Sequence, residues 1–231
     1  MVNLVIKSLK KDFSGNVIFN DFNLTVKSGS VVAILGASGV GKSTLLNIIS
    51  GEITDYQGEV IGRPKKISHV FNKDRLVPSL TVFENVRLVL GDEKNKKLDD
   101  LCYDVLKKVG LNNAVNLYPR QLSTGMSKRV NLARAFVYGA DLMLMDEPFA
   151  NLDLVTKFEI TDLFSTLQKE SGQTAILVTH DVSEAIYLAD ELVVIKRDES
   201  PIVIAKGNDD DQTIIAKIKS AFKSCDKIEK L

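Results

Sequence analysis

The segment Gly36-Ala37-Ser38-Gly39-Val40-Gly41-Lys42-Ser43 has residue types and spacing suited to holding phosphate. It fits the pattern G-x-x-x-x-G-K-[ST] in full. Glycines let the backbone curl until successive amide N–H groups point inward at an anion. A helix starting near Ser43 would add its positive end, Lys42 would bridge the outer phosphates, and the Ser43 hydroxyl would ligate magnesium. An ordinary glycine turn is the competing reading, but a chance match has odds of about 1% at average residue frequencies. Gly36, Ser38, Gly39, Gly41, Lys42, Ser43 and Thr44 are therefore expected to bind a nucleotide such as ATP with its Mg2+. Such a site also needs acid. The apolar run 142–145 ends in Asp146-Glu147. Asp146 would hold the metal, and Glu147 would polarise an attacking water as general base.

Those groups need a scaffold. Residues 30–35 are an apolar run leading into the glycine turn, and Leu45, Leu46 and Ile49 follow at helical spacing up to Gly51. Strand, loop and helix in that order put the loop at the carboxyl end of a parallel strand. Ahead of it, apolar and polar residues alternate (Leu4, Ile6; Val17, Phe19; Leu24, Val26). Turns at Ser14-Gly15 and Ser28-Gly29 complete a pattern of short antiparallel strands. From residue 72 to 140 the pattern is helical. TVFE at 81–84 is a capping box followed by Val82, Val86 and Val89. Leu98, Leu101, Val105 and Val109 mark a second helix stopped by Gly110, and Met126, Val130, Ala133 and Val137 mark a third. The runs 142–145 and 174–178 read as strands buried on both faces, with a helix bearing Ile160, Leu163, Phe164 and Leu167 between them. The tail from Asn208 is amphipathic through Ile214, Ile215, Ile218 and Phe222.

Composition narrows the function classes. Lys plus Arg and Asp plus Glu each number 30, so no global basic field points to nucleic acid. With 45% hydrophobic residues the chain has material for a sizeable core. No apolar run approaches the roughly 20 residues needed to cross a bilayer, and the first residues lack a signal-peptide pattern. Cys102 and Cys225 have neither framework nor ligand spacing, as suits a reducing cytosol.

The segment Leu122-Ser123-Thr124-Gly125-Met126, followed by SKRVNLARAF shortly before Asp146, resembles the signature of the ABC ATPase family, usually written LSGGQ or LSGGM. The resemblance covers nearly the whole chain. It implies an α/β fold: a P-loop NTPase (RecA-like) core with a mainly parallel sheet, an N-terminal antiparallel β subdomain and an inserted helical subdomain. The core would take residues 1–71 and 141–231, and the helical subdomain 72–140. In the family, Ser123, Thr124 and Gly125 would act in trans on nucleotide bound to a second ATP-binding subunit. The same resemblance gives Phe13 an adenine-stacking role, Asn72 a place at the metal and the attacking water, and His180, in VTHDVSEA, contact with the γ-phosphate. Ala150-Asn151-Leu152-Asp153 is similar to the loop linking the two sites, while His69 matches nothing and reads as a strand residue.

The stretches RLVPSLTV with ENV (75–86) and EAIYLAD (184–190) look most like the import subfamily for nitrate, sulfonates and taurine. That likeness implies a transport ATPase on the inner face of the cell membrane, working as a homodimer with membrane permease subunits and an extracytoplasmic solute-binding protein. An exporter or lipoprotein-release ATPase, and a module that binds ATP with little turnover, are the alternatives. Two positions depart from the family: Asn72 replaces a glutamine, and Thr124 replaces the signature's first glycine. Asn72 is shorter by one methylene, about 1.5 Å of reach, so slow hydrolysis is expected.

Overall fold

The computed structural model describes residues 3–91, 95–196, 200–207 and 209–223. In chain order the elements are β1 (Leu4–Phe13), β2 (Asn16–Val26), β3 (Val31–Leu35), α1 (Lys42–Ser50), β4 (Gln57–Ile61) and β5 (Ile67–Phe71). Next come α2 (Val82–Arg87), α3 (Lys96–Lys108), α4 (Thr124–Tyr138), β6 (Leu142–Asp146) and α5 (Leu154–Ser171). The chain closes with β7 (Thr174–Val178), α6 (Val182–Leu188), β8 (Glu191–Val194), β9 (Ile202–Ala205) and α7 (Asp211–Lys223). Cys225 and Asn208 lie outside the described residues. The chain divides into two compact units, residues 1–67 with 174–231 and residues 68–173.

The first unit contains an antiparallel sheet in the order β2-β1-β4 and a second set of strands in the order β7-β3-β8-β9. β3 pairs in parallel with both β7 and β8, and β9 closes that edge antiparallel to β8. β3 and β7 are buried at every position, which is why their sequences are continuous apolar runs rather than alternating ones. The N-terminal strands are longer than the short pieces expected. They form one hairpin of 10 and 11 residues. Register shifts between Ile6 and Leu9, and again near Lys11, interrupt the alternation that a sequence pattern can follow.

In the second unit α2, α3 and α4 pack around Val82, Val86, Cys102, Leu106, Val109, Val130, Ala133 and Val137. The capping box is present: the Thr81 hydroxyl accepts from the Glu84 amide, and the Glu84 carboxylate accepts from the Thr81 amide at 2.7 Å. α3 buries a different stripe from the expected one. Leu101 is 41% exposed, whereas Cys102 and Leu106 are fully buried beside Val105 and Val109. Spacing of three and four residues from Val109 selects Leu106, Val105 and Cys102, and places Leu101 on the flank. The second unit also holds β5 and β6 as neighbouring strands. His69 lies within β5.

Four elements carried no expectation. β4 is mostly exposed with Val60 half-buried, so no apolar alternation marks it. β8 and β9 have four residues each, and α6 has seven, too few for a periodic signal to accumulate.

Candidate functional site

On the first unit, β3 runs straight into the glycine loop, and α1 begins at its far end. Gly41 precedes α1 with φ 111°, and no side chain caps that helix. A Cβ at Gly41 would come within 2.4 Å of Ile18 Cγ2, and left-handed φ is itself costly for other residues. At Gly36 a Cβ would lie 2.9 Å from the Ile195 carbonyl oxygen. Gly36 is thus fixed by a close backbone approach, and Gly41 by its left-handed φ and the packed side chains of Ile18 and Phe19. Lys42 is buried, and its Nζ donates to the carbonyls of Gly36 at 2.7 Å and Ala37 at 2.9 Å. The ammonium therefore lies folded back along the loop. Ser38 and Gly39 lie on the loop's outer run; Ser43 and Thr44 occupy the first turn of α1.

Two more expected residues lie on this unit. Phe13 ends β1 beside a two-residue turn, Ser14 and Gly15, in which both φ angles are positive, as a type I′ hairpin requires. Its ring is 46% exposed, with the Lys11 ammonium 4.4 Å from the centroid. A cavity of about 680 Å³ is lined by Phe13, Lys11, Val17, Phe19, Asp55 and Tyr56, among others. His180 follows β7 and is exposed between two anchors. Thr179 N–H donates to the Ile34 carbonyl at 3.2 Å. The Asp181 carboxylate caps α6 by accepting from Ser183 and Glu184. The backbone is thus held on both sides of His180 at the strand's end.

The second unit holds the acidic residues and the signature. Leu142 to Met145 of β6 are buried, and Asp146 emerges half-buried at its end. Glu147 has φ 47°, a left-handed conformation that costs an ordinary side chain free energy. Asn151, in the following loop, is also left-handed at φ 62°. Such outliers persist where surrounding structure enforces them, and they concentrate at functional positions. Asp153 caps α5 by accepting from Thr156 N–H at 3.0 Å. Hydrogen bonds from the Thr156 side chain and then its backbone hold the Asp153 carboxyl below the usual range.

Ser123 caps α4, its hydroxyl accepting from Met126 N–H at 3.2 Å. Thr124 is exposed in the first turn, so its β-branched side chain meets no packing obstacle there. Gly125 has a reason to be glycine that sequence reading missed: an added Cβ would approach Thr156 Cγ2 to 2.7 Å. The signature is thus packed tightly on α5. Asn72 follows β5, and its side-chain oxygen accepts from Asn151 Nδ2 at 3.3 Å. Among the described residues, no group of three or more His, Cys, Asp or Glu side chains is placed to hold a metal by itself.

The fold is α/β, and its strand, glycine loop and helix are those of a P-loop nucleotide-binding protein. The sequence profile of the ABC transporter family matches residues 19–150. An aliphatic sulfonates import ATP-binding protein of Pseudomonas syringae pv. tomato is 34% identical over 223 residues, covering 91% of this chain and 92% of that protein. A taurine import ATP-binding protein of Escherichia coli K12 is 39% identical over 202 residues, covering 83% and 79%. Among solved structures, an ATP-binding cassette dimer bound to ADP and Pi superposes with TM-score 0.76 at 30% identity, covering 89% of this chain and 100% of that one. CbiO1 from Clostridium perfringens, part of an ABC transporter complex, superposes with TM-score 0.81 at 26% identity, covering 98% and 95%. The chain belongs to the ABC transporter family. It is the ATP-binding subunit, an ATPase coupled to transport. No helix among the described residues is long and apolar enough to cross a membrane.

Proposed function

We propose that this chain powers an importer of a small anionic or zwitterionic solute of the sulfonate and taurine class. The observation that carries the reading is the match to a sulfonate import ATP-binding protein over 91% of this chain and 92% of that one. Two copies act beneath permease subunits on the cytoplasmic face of the membrane, with a solute-binding protein delivering cargo from outside. Retention of a general base, Glu147, disfavours a module that binds ATP without turnover.

Each candidate residue takes a role that its chemistry suits. Backbone amides of Gly36, Ser38, Gly39 and Gly41, with Ser43 and Thr44 at the helix start, hold the phosphates. Lys42 moves from the carbonyls of Gly36 and Ala37 to the outer phosphates, a short swing for a flexible stem. Phe13 offers its exposed ring to the adenine. Ser123, Thr124 and Gly125 face the nucleotide of the second copy. Magnesium fits the donor set, because the Ser43 hydroxyl, the Asp146 carboxylate and the Asn72 amide oxygen are all hard oxygen ligands. When bound it would neutralise charge on the β- and γ-phosphates. Glu147 accepts a proton from the attacking water, and His180 hydrogen-bonds the γ-phosphate. Turnover is slow because Asn72 reaches less far than glutamine.

Substitution of Glu147 tests the assignment. Glu147→Gln keeps ATP binding and loses roughly 10²–10⁴-fold in turnover. With ATP it elutes from a sizing column as a dimer, while the parent elutes mostly as monomer. Hydrolysis at the parent rate would remove Glu147 from the role.

A further inference from the structure

Three side chains of α4, each three residues from the last, grip the segment that follows β5. Lys128 is 3% exposed, and its Nζ donates to the Asn72 carbonyl oxygen. The same ammonium pairs with the Asp74 carboxylate at 3.4 Å. Asn131 Nδ2 also donates to Asp74. Arg134 donates to the Arg75 carbonyl at 2.7 Å, while the Arg75 guanidinium lies 3.7 Å over the Phe71 ring. Steps of three residues follow one ridge of a helix, so Lys128, Asn131 and Arg134 form a polar stripe. The stripe runs beside the buried Val130, Ala133 and Val137.

The stripe has a cost that calls for a reason. A buried ammonium loses its hydration and is tolerated only when paired and hydrogen-bonded. Asp74 shares that cost, its partly buried carboxylate held by Lys128 and Asn131. An apolar residue at 128 would hold the helical core equally well. What it would not do is fix the Asn72 carbonyl, whose own side chain is already directed at Asn151. The helix that performs this grip is the one that starts at the signature, with Ser123 as its cap.

We propose that Lys128 is a positioning residue for hydrolysis, tying the Asn72 backbone to the helix that begins at the signature so that the two move as one piece. This rests on the role given above to Asn72 in the ATP site. A shift of α4, when its N-terminus engages nucleotide, is carried along the stripe to Asn72. Placement of the Asn72 amide is thereby linked to signature engagement, and loosening the link costs rate without costing ATP affinity.

The test uses the full-length chain with Lys128→Met, which keeps the stem and removes the donor. In nucleotide-free protein, amide exchange in residues 72–75 should rise about tenfold, with the glycine loop unchanged. ATP affinity should stay within twofold, and kcat should fall on the order of tenfold to a hundredfold, the range for a catalytic group misplaced near 1 Å. Lys128→Arg, which restores a donor, should recover both exchange protection and kcat. If Lys128→Met does not fold, Lys128→Gln, which removes the ammonium and shortens the side chain while keeping a polar end, takes the same measurements. Faster exchange with parent-like kcat would make Lys128 a packing residue only, and unchanged exchange would remove the grip itself; either overturns the proposal. Asn72→Ala separates this from the underlying reading. Lost turnover there beside a parent-like Lys128→Met defeats only the positioning role, whereas parent-like turnover in Asn72→Ala removes Asn72 from the site.

Discussion

Several residues take their meaning from what surrounds them rather than from their type. Cys102 is fully buried in the core of α2, α3 and α4, and burial pushes its thiol up to about 11. The thiolate is the reactive form, so this cysteine is inert near neutral pH. Peptide mapping after iodoacetamide treatment of the native protein should find Cys102 unmodified. Alkylation should appear only once denaturant opens the core, and ready labelling of native protein would mean that the core opens far more often than this packing allows. Sequence reading placed the thiol outside any ligand or framework pattern but could not tell a core methyl-sized residue from an exposed one. The same limit applies to Gly125. Its motif suggests a role at phosphate, yet the contact with Thr156 that also excludes a side chain joins residues 31 positions apart in no readable pattern (125 to 156 in the sequence). Residues whose partners are local, such as Thr81, paired with Glu84 in its capping box, were legible from spacing alone.

At the scale of elements, α4 and α5 meet where the signature begins, and that contact yields a prediction with a definite sign. Gly125 lies in the first turn of α4 with a negative φ, where alanine is conformationally acceptable. Replacing glycine by alanine in a helix ordinarily gains up to about 1 kcal/mol. Here the added methyl would meet Thr156 Cγ2 at 2.7 Å, and overpacking of that kind costs about 1–3 kcal/mol. Gly125→Ala should therefore destabilise the protein in urea titrations. Combined with Thr156→Ala, which deletes the offending methyl, it should be neutral or stabilising relative to Thr156→Ala alone. Equal destabilisation in both backgrounds would show that Thr156 is not what keeps position 125 small. The element scale also explains which parts of the fold were readable. Long helices and fully buried strands carry many residues that agree on one period, whereas β4, β8, β9 and α6 are too short or too exposed to vote. β1 and β2 were readable in pieces, because bulges break the alternation that would have joined them.

At the scale of the whole molecule, the candidate site residues divide between the two units. The first carries the glycine loop, Phe13 and His180; the second carries Asn72, Asp146, Glu147 and the signature. The glycine loop and Asp146-Glu147 stood out as local motifs, whereas Phe13, Asn72, His180 and the signature were singled out through resemblance to a family. No periodicity records which strand ends belong together, so a joint site for these groups is an expectation that only the resemblance supplies. One consequence of the proposed dimer separates a shared site from a self-contained one. If the signature of each copy completes the nucleotide site of the other, a Ser123→Arg chain and a Lys42→Ala chain are each inactive alone for different reasons. A mixed dimer has one site built from an intact loop and an intact signature, and one site in which both are damaged. Mixing the two inactive proteins should therefore restore phosphate release. At equal concentrations and random pairing, half of the dimers are mixed and each has one of two sites intact, so about a quarter of parental activity is the ceiling if sites act independently. Titrating one variant into a fixed amount of the other should raise activity to a plateau. Mixtures that stay inactive while crosslinking shows mixed dimers to be present would mean that each chain's signature does not serve the other's nucleotide.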